Sequence, residues 1–502
     1  MSDHTYSIHI ASRGKAIVDV QDFQIPERHV TLLFGESGIG KSLIAKAIYG
    51  LLDSQQLSIT INGKPYDCYL QGNEIKEIQE SSFFVFQEPS SHLNPLLTLH
   101  TQLKEGSLSS APDETMILKT LWNEANPEDI QDLLEVYPKP NRPSGGEKQR
   151  MLLVMAFKKI DLLHSKRNRV RNTIFVFDEP TGSLDNRYRD VFLSLLFKKF
   201  HEAHFTAILI THDYSMISEV HRSHHNLMGR IIFKELFLRE NKLAVREFHP
   251  ATYMSWLKGQ RRQVKLKAQK LEPLLTMESG VRVFGRTLVI SKDEPGKQVS
   301  PLMIHPGTSA YLKAPSGTGK TTLVKAMMGL VPCTRLNLSV GGITLTEKTP
   351  RGLWQRTIWG KKIVLVFQHA DEAVNAHSTV KETFLGLPSK TRITTGSIME
   401  TLGDLFDSEV DEAFLNRKVG TLSGGQKQKL NLLRGLYLDT DILILDEPLN
   451  GLDFESTTKV ISMIQRKQRE GKGLLLISHN EEILDTQVEK DHIYYLAVHA
   501  IG

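Results

Sequence analysis

One ordered set of motifs occurs twice along this chain, and a repeat of that length fixes the domain plan before any local structure is considered. Gly35-Glu36-Ser37-Gly38-Ile39-Gly40-Lys41-Ser42 is a complete glycine-rich phosphate-loop pattern. Ala314-Pro315-Ser316-Gly317-Thr318-Gly319-Lys320-Thr321, followed by Thr322, repeats it with alanine at the first glycine. The two lysines stand 279 positions apart. Gln87 in FFVFQEP matches Gln368 in VLVFQHA at an offset of 281, and Ser144 in PSGGEKQR matches Ser423 in LSGGQKQK at 279. Asp178-Glu179 and Asp446-Glu447 follow at 268, then His212 and His479 at 267. The fall from 279 to 268 locates an insertion in the first copy. There Ser165 to Asn172 carries four basic residues and reads as a solvated surface loop.

The repeat divides the 502 residues into two domains of similar size. Between them Lys258 to Lys270 holds six basic residues and no acidic one, so the expected plan is a first domain over 1–257, a basic linker over 258–273 and a second domain over 274–502. A hydrophobic content of 40% and a charged content of 24% suit a folded protein. A formal net charge of +5 is too small to imply a nucleic-acid partner. Cys68 and Cys333 cannot supply a structural zinc or iron–sulfur site, and their scarcity suits a reducing compartment. No apolar run reaches the ~20 residues of a membrane-spanning helix, and Met1 to Ala11 is too polar for a signal peptide. The expectation is a cytoplasmic chain whose membrane association, if any, is peripheral.

The motifs fall on predictable elements. His29 to Phe34 and Ala310 to Lys313 read as strands entering the glycine loops. A helix follows each loop, with core stripes of Leu43, Ile44, Ala47, Ile48 and Leu51 in one copy and of Leu323, Val324, Met327, Met328 and Val331 in the other. The apolar runs 173–177 and 441–445 end in Asp-Glu-Pro, as expected of buried parallel strands with functional residues at their carboxyl ends. Each half is therefore predicted to be an α/β domain of P-loop topology.

Each motif has a chemical reading. Successive N–H groups of a glycine loop, together with the start of the following helix, bind phosphate oxygens. Lys41 and Lys320 are placed to reach the β- and γ-phosphates, and Ser42 and Thr321 to offer a hydroxyl to Mg²⁺. Ala314 is acceptable at the first loop position only where φ is negative. Asp178 and Asp446 are metal-holding candidates, and Glu179 and Glu447 are the candidates to polarise the attacking water. Ser144-Gly145-Gly146 and Ser423-Gly424-Gly425 offer a hydroxyl and amides at a helix start, a second anion site.

Taken together these motifs resemble two ATP-binding cassettes of the ABC superfamily, each with a helical signature subdomain, over nearly the whole chain outside the linker. The resemblance implies ATP and Mg²⁺ as ligands and two composite ATP sites. One would join Lys41, Gln87, Asp178, Glu179 and His212 to Ser423, Gly424 and Gly425. The other would join Lys320, Gln368, Asp446, Glu447 and His479 to Ser144, Gly145 and Gly146. It also implies that Gln87 and Gln368 contact Mg²⁺ or the attacking water, that His212 and His479 contact the γ-phosphate, and that Ser183-Leu-Asp185 and Gly451-Leu-Asp453 are interface loops. Phe284 is the candidate adenine-stacking residue of the second copy. The first copy has no aromatic between Ile8 and Val20, leaving Arg13 or nothing specific.

Finer resemblance is confined to the first copy. Gln87-Glu-Pro-Ser-Ser-His-Leu-Asn-Pro95, Tyr137-Pro138 and Phe248-His-Pro250 are similar to segments of oligopeptide, dipeptide and nickel importer ATPases, whereas Gln368-His-Ala-Asp-Glu departs from that pattern. The implied activity is ATP hydrolysis driving import through two separate integral-membrane permease subunits, with a solute-binding protein and no nucleic acid. The alternative is a tandem ATPase serving a non-transport complex, such as one cleaving carbon–phosphorus bonds or one acting in translation or on DNA.

Overall fold

The computed structural model describes residues 4–106, 108, 114–122, 130–131, 134–135, 143–165, 172–182, 186–239, 242–260, 272–278, 280–294, 296–315, 317–388, 392–406 and 410–499. Residues 166–171 of the basic insertion, the Tyr137-Pro138 pair, the loop 183–185, Ser316 and linker residues 261–271 lie outside the described residues. The chain forms two compact units, Met1–Tyr253 and Met254–Gly502. The helix Pro250–Gln260 runs through both this division and the 257/258 boundary drawn from the sequence.

In the first unit, β1 (His4–Ser12) and β2 (Lys15–Ile25) form a hairpin closed by Arg13 and Gly14, at φ 50° and 76°. Two consecutive left-handed residues match the twist of the strands they join. Next come β3 (Val30–Gly35), β4 (Ser58–Ile61), β5 (Lys64–Pro65), β6 (Phe84–Val85), β7 (Phe175–Asp178), β8 (Ala207–Ile210), β9 (Ile231–Arg239) and β10 (Lys242–Glu247). One sheet has the order β2-β1-β4-β5; the other has β10-β9-β3-β8-β7-β6, with β9, β3, β8, β7 and β6 parallel. Strands β3, β7 and β8 are buried throughout, which is why they read as continuous apolar runs rather than alternating ones. The helix Lys41–Ile48 presses Ile44, Ala45, Ala47 and Ile48 into a core shared with Ile8, Ile10, Val18, Ile59, Val176 and Ile208 of both sheets. Leu51, expected in that stripe, is exposed, because the helix ends at Ile48 and Gly50 takes φ 78°.

The second unit contributes β11 (Leu275–Met277), β12 (Gly280–Val283), β13 (Arg286–Ser291), β14 (Leu302–Ile304), β15 (Ser309–Lys313), β16 (Asn337–Val340), β17 (Ile343–Thr346), β18 (Ile363–Val366), β19 (Ile442–Asp446), β20 (Gly473–Ile477) and β21 (Ile493–His499). The sheets have the orders β14-β11-β16-β17 and β12-β13-β21-β15-β20-β19-β18. The nucleotide-loop strand again lies between two parallel neighbours, so the repeat is one of topology as well as of sequence. The units differ at one edge. The hairpin β12–β13 extends the large sheet by pairing with β21, whereas β1–β2 pairs with β4 in the smaller sheet.

Candidate nucleotide sites

Each site stands at the carboxyl edge of the parallel strands, where the chain leaves the sheet and its N–H groups become available. In the first unit, β3 leads into the glycine loop, with Gly38 at φ 81° and Gly40 at φ 115°, and the helix starts at Lys41. The Lys41 ammonium bends back to donate to the carbonyls of Gly35 (2.7 Å) and Glu36 (3.1 Å). Gly35 takes φ 144°, and a β-carbon there would lie 2.6 Å from the Leu236 carbonyl oxygen on β9. In the second unit Gly317 and Gly319 repeat the left-handed turns at φ 76° and 102°. Lys320 donates to the Ala314 carbonyl at 2.6 Å. Ala314 is not among the residues of positive φ, so its methyl carries none of the strain it would meet in the Gly35 conformation.

The acidic pairs are brought to the loops by β7 and β19. Ser42 Oγ donates to Asp178 Oδ1 at 2.8 Å, and Thr321 Oγ1 to Asp446 Oδ2 at 2.7 Å. Burial raises Asp178 to about 6 against the Ser42 hydrogen bond, and raises Asp446 likewise. Each hydroxyl–carboxylate pair offers two hard oxygens, a set that fits Mg²⁺, which keeps most of its ligands as water and phosphate. Among the described residues no three His, Cys, Asp or Glu side chains gather as a metal cluster.

The glutamates that follow both take left-handed backbone, φ 48° at Glu179 and 51° at Glu447, a strained conformation for a residue with a side chain. Strand hydrogen bonds hold them there, Glu179 N to the Ile210 carbonyl at 3.0 Å and Glu447 N to the Ile477 carbonyl at 2.8 Å. Beyond the backbone the two sites diverge. His212 Nδ1 lies 2.9 Å from Glu179 Oε1. Burial works to raise Glu179, but the charge and hydrogen bond of His212, with Lys41 behind it, bring the carboxyl below its usual range. Burial likewise works to lower His212, and Glu179 reverses the sign. Glu447 instead receives Ser478 Oγ at 2.7 Å and the His479 backbone N–H at 3.2 Å, both on Oε2. Its Oε1 accepts no hydrogen bond, His479 Nε2 lies 3.5 Å from it, and burial pushes the carboxyl up to about 7.

Gln87 and Gln368 each stand two residues beyond the strand positions that pair with Phe177 and Leu445, at the same carboxyl edge of the sheet as the glutamates. Gln87 is exposed and Gln368 half-buried. The signature segments are helix starts, as their composition suggests. Ser144 exchanges hydrogen bonds with Glu147 at the head of Gly145–Ser165, and Ser423 does the same with Gln426 at the head of Gly424–Tyr437. Gly145 and Gly424 face open space. Both segments are tied to the region after the glutamines, through Lys148 to Ser90 Oγ (3.1 Å) and Lys427 to Asp371 Oδ1 (2.8 Å). Asp453 of the second interface-loop segment caps the helix Phe454–Arg469.

Phe284 sits 74% exposed at the tip of β12–β13, at φ 48°, followed by Gly285 at 78°. Arg13 and Gly14 occupy the equivalent turn of β1–β2, and the next strand of each hairpin packs on the loop glycine, Val18 against Gly40 and Leu288 against Gly319. Sequence reasoning passed over Ser478. Only a comparison of the residues preceding the two histidines, Thr211 and Ser478, would have drawn attention to it.

Two P-loop units with paired acidic residues at the strand ends define an ATP-binding protein of cassette type. A family model for the ABC transporter family matches residues 18–182 and 298–450, and the chain belongs to that family. It is an ABC-type ATPase. The chain is 25% identical over 503 residues to the ABC transporter ATP-binding protein YejF of Escherichia coli (strain K12), covering 94% of this chain and 88% of that one. It is 23% identical over 530 residues to the glutathione import ATP-binding protein GsiA of the same organism, covering 94% and 81%. Among solved structures, the archaeal ribosome recycling factor aABCE1 aligns with a TM-score of 0.60 at 18% identity, covering 96% of this chain and 87% of that one. RNase-L Inhibitor aligns at 0.59 and 18%, covering 97% and 89%. These two likenesses concern the fold.

Proposed function

We propose that this chain is the ATP-hydrolysing subunit of an ABC importer, energising uptake of peptides, nickel or a related small solute through two separate permease subunits with a solute-binding protein. It would work at the inner face of the cell membrane. The observation that carries this reading is the presence of two full sets of candidate catalytic groups, each with its loop lysine, hydroxyl–aspartate pair, glutamate and histidine. The importer assignment is supported by the segment after Gln87 and by likeness to GsiA along 94% of the chain. Among the described residues no helix is long and apolar enough to cross a membrane, in keeping with a spanning path supplied by partners.

In each unit the γ-phosphoryl of ATP passes to water. The water oxygen bonds to phosphorus, the bond to the bridging oxygen breaks, and ADP leaves with that electron pair. Glu179 and Glu447 accept the water proton, while Gln87, Gln368, His212 and His479 orient water and phosphate. Lys41 and Lys320 turn from their loop carbonyls to the phosphates, and Ser144 to Gly146 and Ser423 to Gly425 supply further donors. Ser42 with Asp178, and Thr321 with Asp446, would hold Mg²⁺, which when bound offsets charge on the phosphate oxygens.

The double variant Glu179→Gln with Glu447→Gln is expected to bind ATP while turnover falls by about 100-fold or more. Near-normal ATPase activity of that purified variant would refute both bases. For the transport reading, the chain purified from solubilised membranes is expected to bring two integral-membrane proteins with it. Recovery with ribosomes or a soluble enzyme complex instead would overturn that assignment.

A further inference from the structure

The two sites hold their glutamates by different means, and the difference traces to two positions. In the second unit the Ser478 hydroxyl donates to Glu447 Oε2 at 2.7 Å and accepts from the Asn480 backbone N–H at 3.1 Å. Because the backbone N–H can only donate, it occupies an acceptor position on Ser478 and leaves the hydroxyl proton for the carboxyl. The Ser478 carbonyl in turn accepts from the Tyr311 hydroxyl at 2.9 Å, and both side chains are buried. Tyr311 lies on β15, three residues before the loop begins, so Glu447 is braced from the strand that carries the glycine loop. In the first unit leucine stands at the equivalent strand position, Leu32, and no hydroxyl is available there. Thr211 replaces Ser478, and its Oγ1 accepts from the Asp213 N–H at 3.0 Å; its hydroxyl makes no bond to Glu179. The carboxyl of Glu179 is taken by the His212 ring instead.

We propose that Ser478 is a positioning residue for the second ATP site, fixing the Glu447 carboxyl so that the His479 imidazole, 3.4 Å from Lys320 Nζ, is left facing the phosphate loop. In the first site the His212 ring itself holds Glu179, through Nδ1. In the second the serine hydroxyl and a backbone N–H hold one carboxyl oxygen, and His479 Nε2 stands 3.5 Å from the other. This inference rests on the assignment of Glu447 as the base.

The test uses the full chain carrying Glu179→Gln, so that steady-state turnover reports on the second site. Adding Ser478→Ala is expected to lower kcat about tenfold with KM for ATP unchanged within about twofold, since a charge-assisted hydrogen bond to the base is lost while the phosphate loop is intact. Ser478→Thr, which keeps the hydroxyl, is expected to restore most of the rate. If Glu179→Gln alone silences the chain, the sites are coupled, and Ser478→Ala in the otherwise unaltered chain should show the tenfold fall directly. An unchanged kcat, a loss confined to KM, or equal losses in the alanine and threonine variants would overturn the proposal. Failure of the underlying assignment is separately visible: Glu447→Gln in the same background would then leave turnover intact.

Discussion

The two units share a fold, a loop geometry and an acidic pair, yet they treat the same glutamate in opposite ways. Both are buried, but Glu179 is hydrogen-bonded to the His212 ring at 2.9 Å, whereas Glu447 has one oxygen on a serine hydroxyl and a backbone N–H and the other without a hydrogen bond, 3.5 Å from His479. The difference teaches that motif identity sets which atoms reach a site. Charge state and orientation come from how the neighbours are arranged, the His212 ring in one unit and the Ser478 hydroxyl in the other.

The largest effect expected from breaking the comparison concerns the loop entry. Gly35→Ala forces a side chain into φ 144° and against the Leu236 carbonyl, and is expected to cost roughly 2–5 kcal/mol of first-unit stability. Ala314→Gly, the reciprocal change, is expected to cost at most about 1 kcal/mol, through chain entropy alone. Urea unfolding of the two variants checks the pair, and equal losses would show that the loops are conformationally alike after all.

An effect of intermediate size concerns the glutamates. Glu447 holds its proton more tightly in the native state, at about 7 against an ordinary value of 4.5, so its contribution to stability is complete at low pH and declines as pH rises from 4.5 through 7. In the absence of nucleotide, Glu447→Gln is therefore expected to raise protection of the β20 amides from hydrogen exchange at pH 8, on the order of 2 kcal/mol, and to change little at pH 5. Glu179 is shifted down, so its stabilisation is present above the ordinary carboxyl range and lost as pH falls through the native value. His212 is shifted up and loses its share as pH rises past its native value. Glu179→Gln should accordingly lower protection of β8 near pH 6, the opposite sign to Glu447→Gln at pH 8.

The smallest effect belongs to the hairpin tips. Phe284→Ala and Arg13→Ala are each expected to weaken ATP binding at one site by about two- to fivefold, as for a single exposed stacking contact. Titration with the other loop lysine replaced by alanine isolates each site. A fall at the second site alone would make Arg13 a bystander.

Much of this was readable beforehand because the signals are local. Glycine loops, Asp-Glu-Pro after an apolar strand and Ser-Gly-Gly at a helix start each encode backbone geometry within a few residues, and the glycine turns and the two helix starts took the expected forms. The Leu51 position misled because helical periodicity was extended past the left-handed Gly50 that ends the helix. The Ser478 hydroxyl gave no signal, since serine before histidine has no pattern of its own. Its contact spans 31 residues and exists only because β19 and β20 are neighbours.

By itself, then, the sequence determined the duplication, the P-loop class of each half and the residues we propose for the nucleotide sites, because repeats, turns and strand ends are written in near neighbours. Only the tertiary structure decided that Ala314 escapes the strain of Gly35, that Arg13 and Phe284 occupy equivalent turns of their own units, and that the two glutamates differ in charge and support. Those properties depend on strands brought together from distant parts of the chain, and for two carboxylates that are both buried the neighbouring groups decide which way the charge goes.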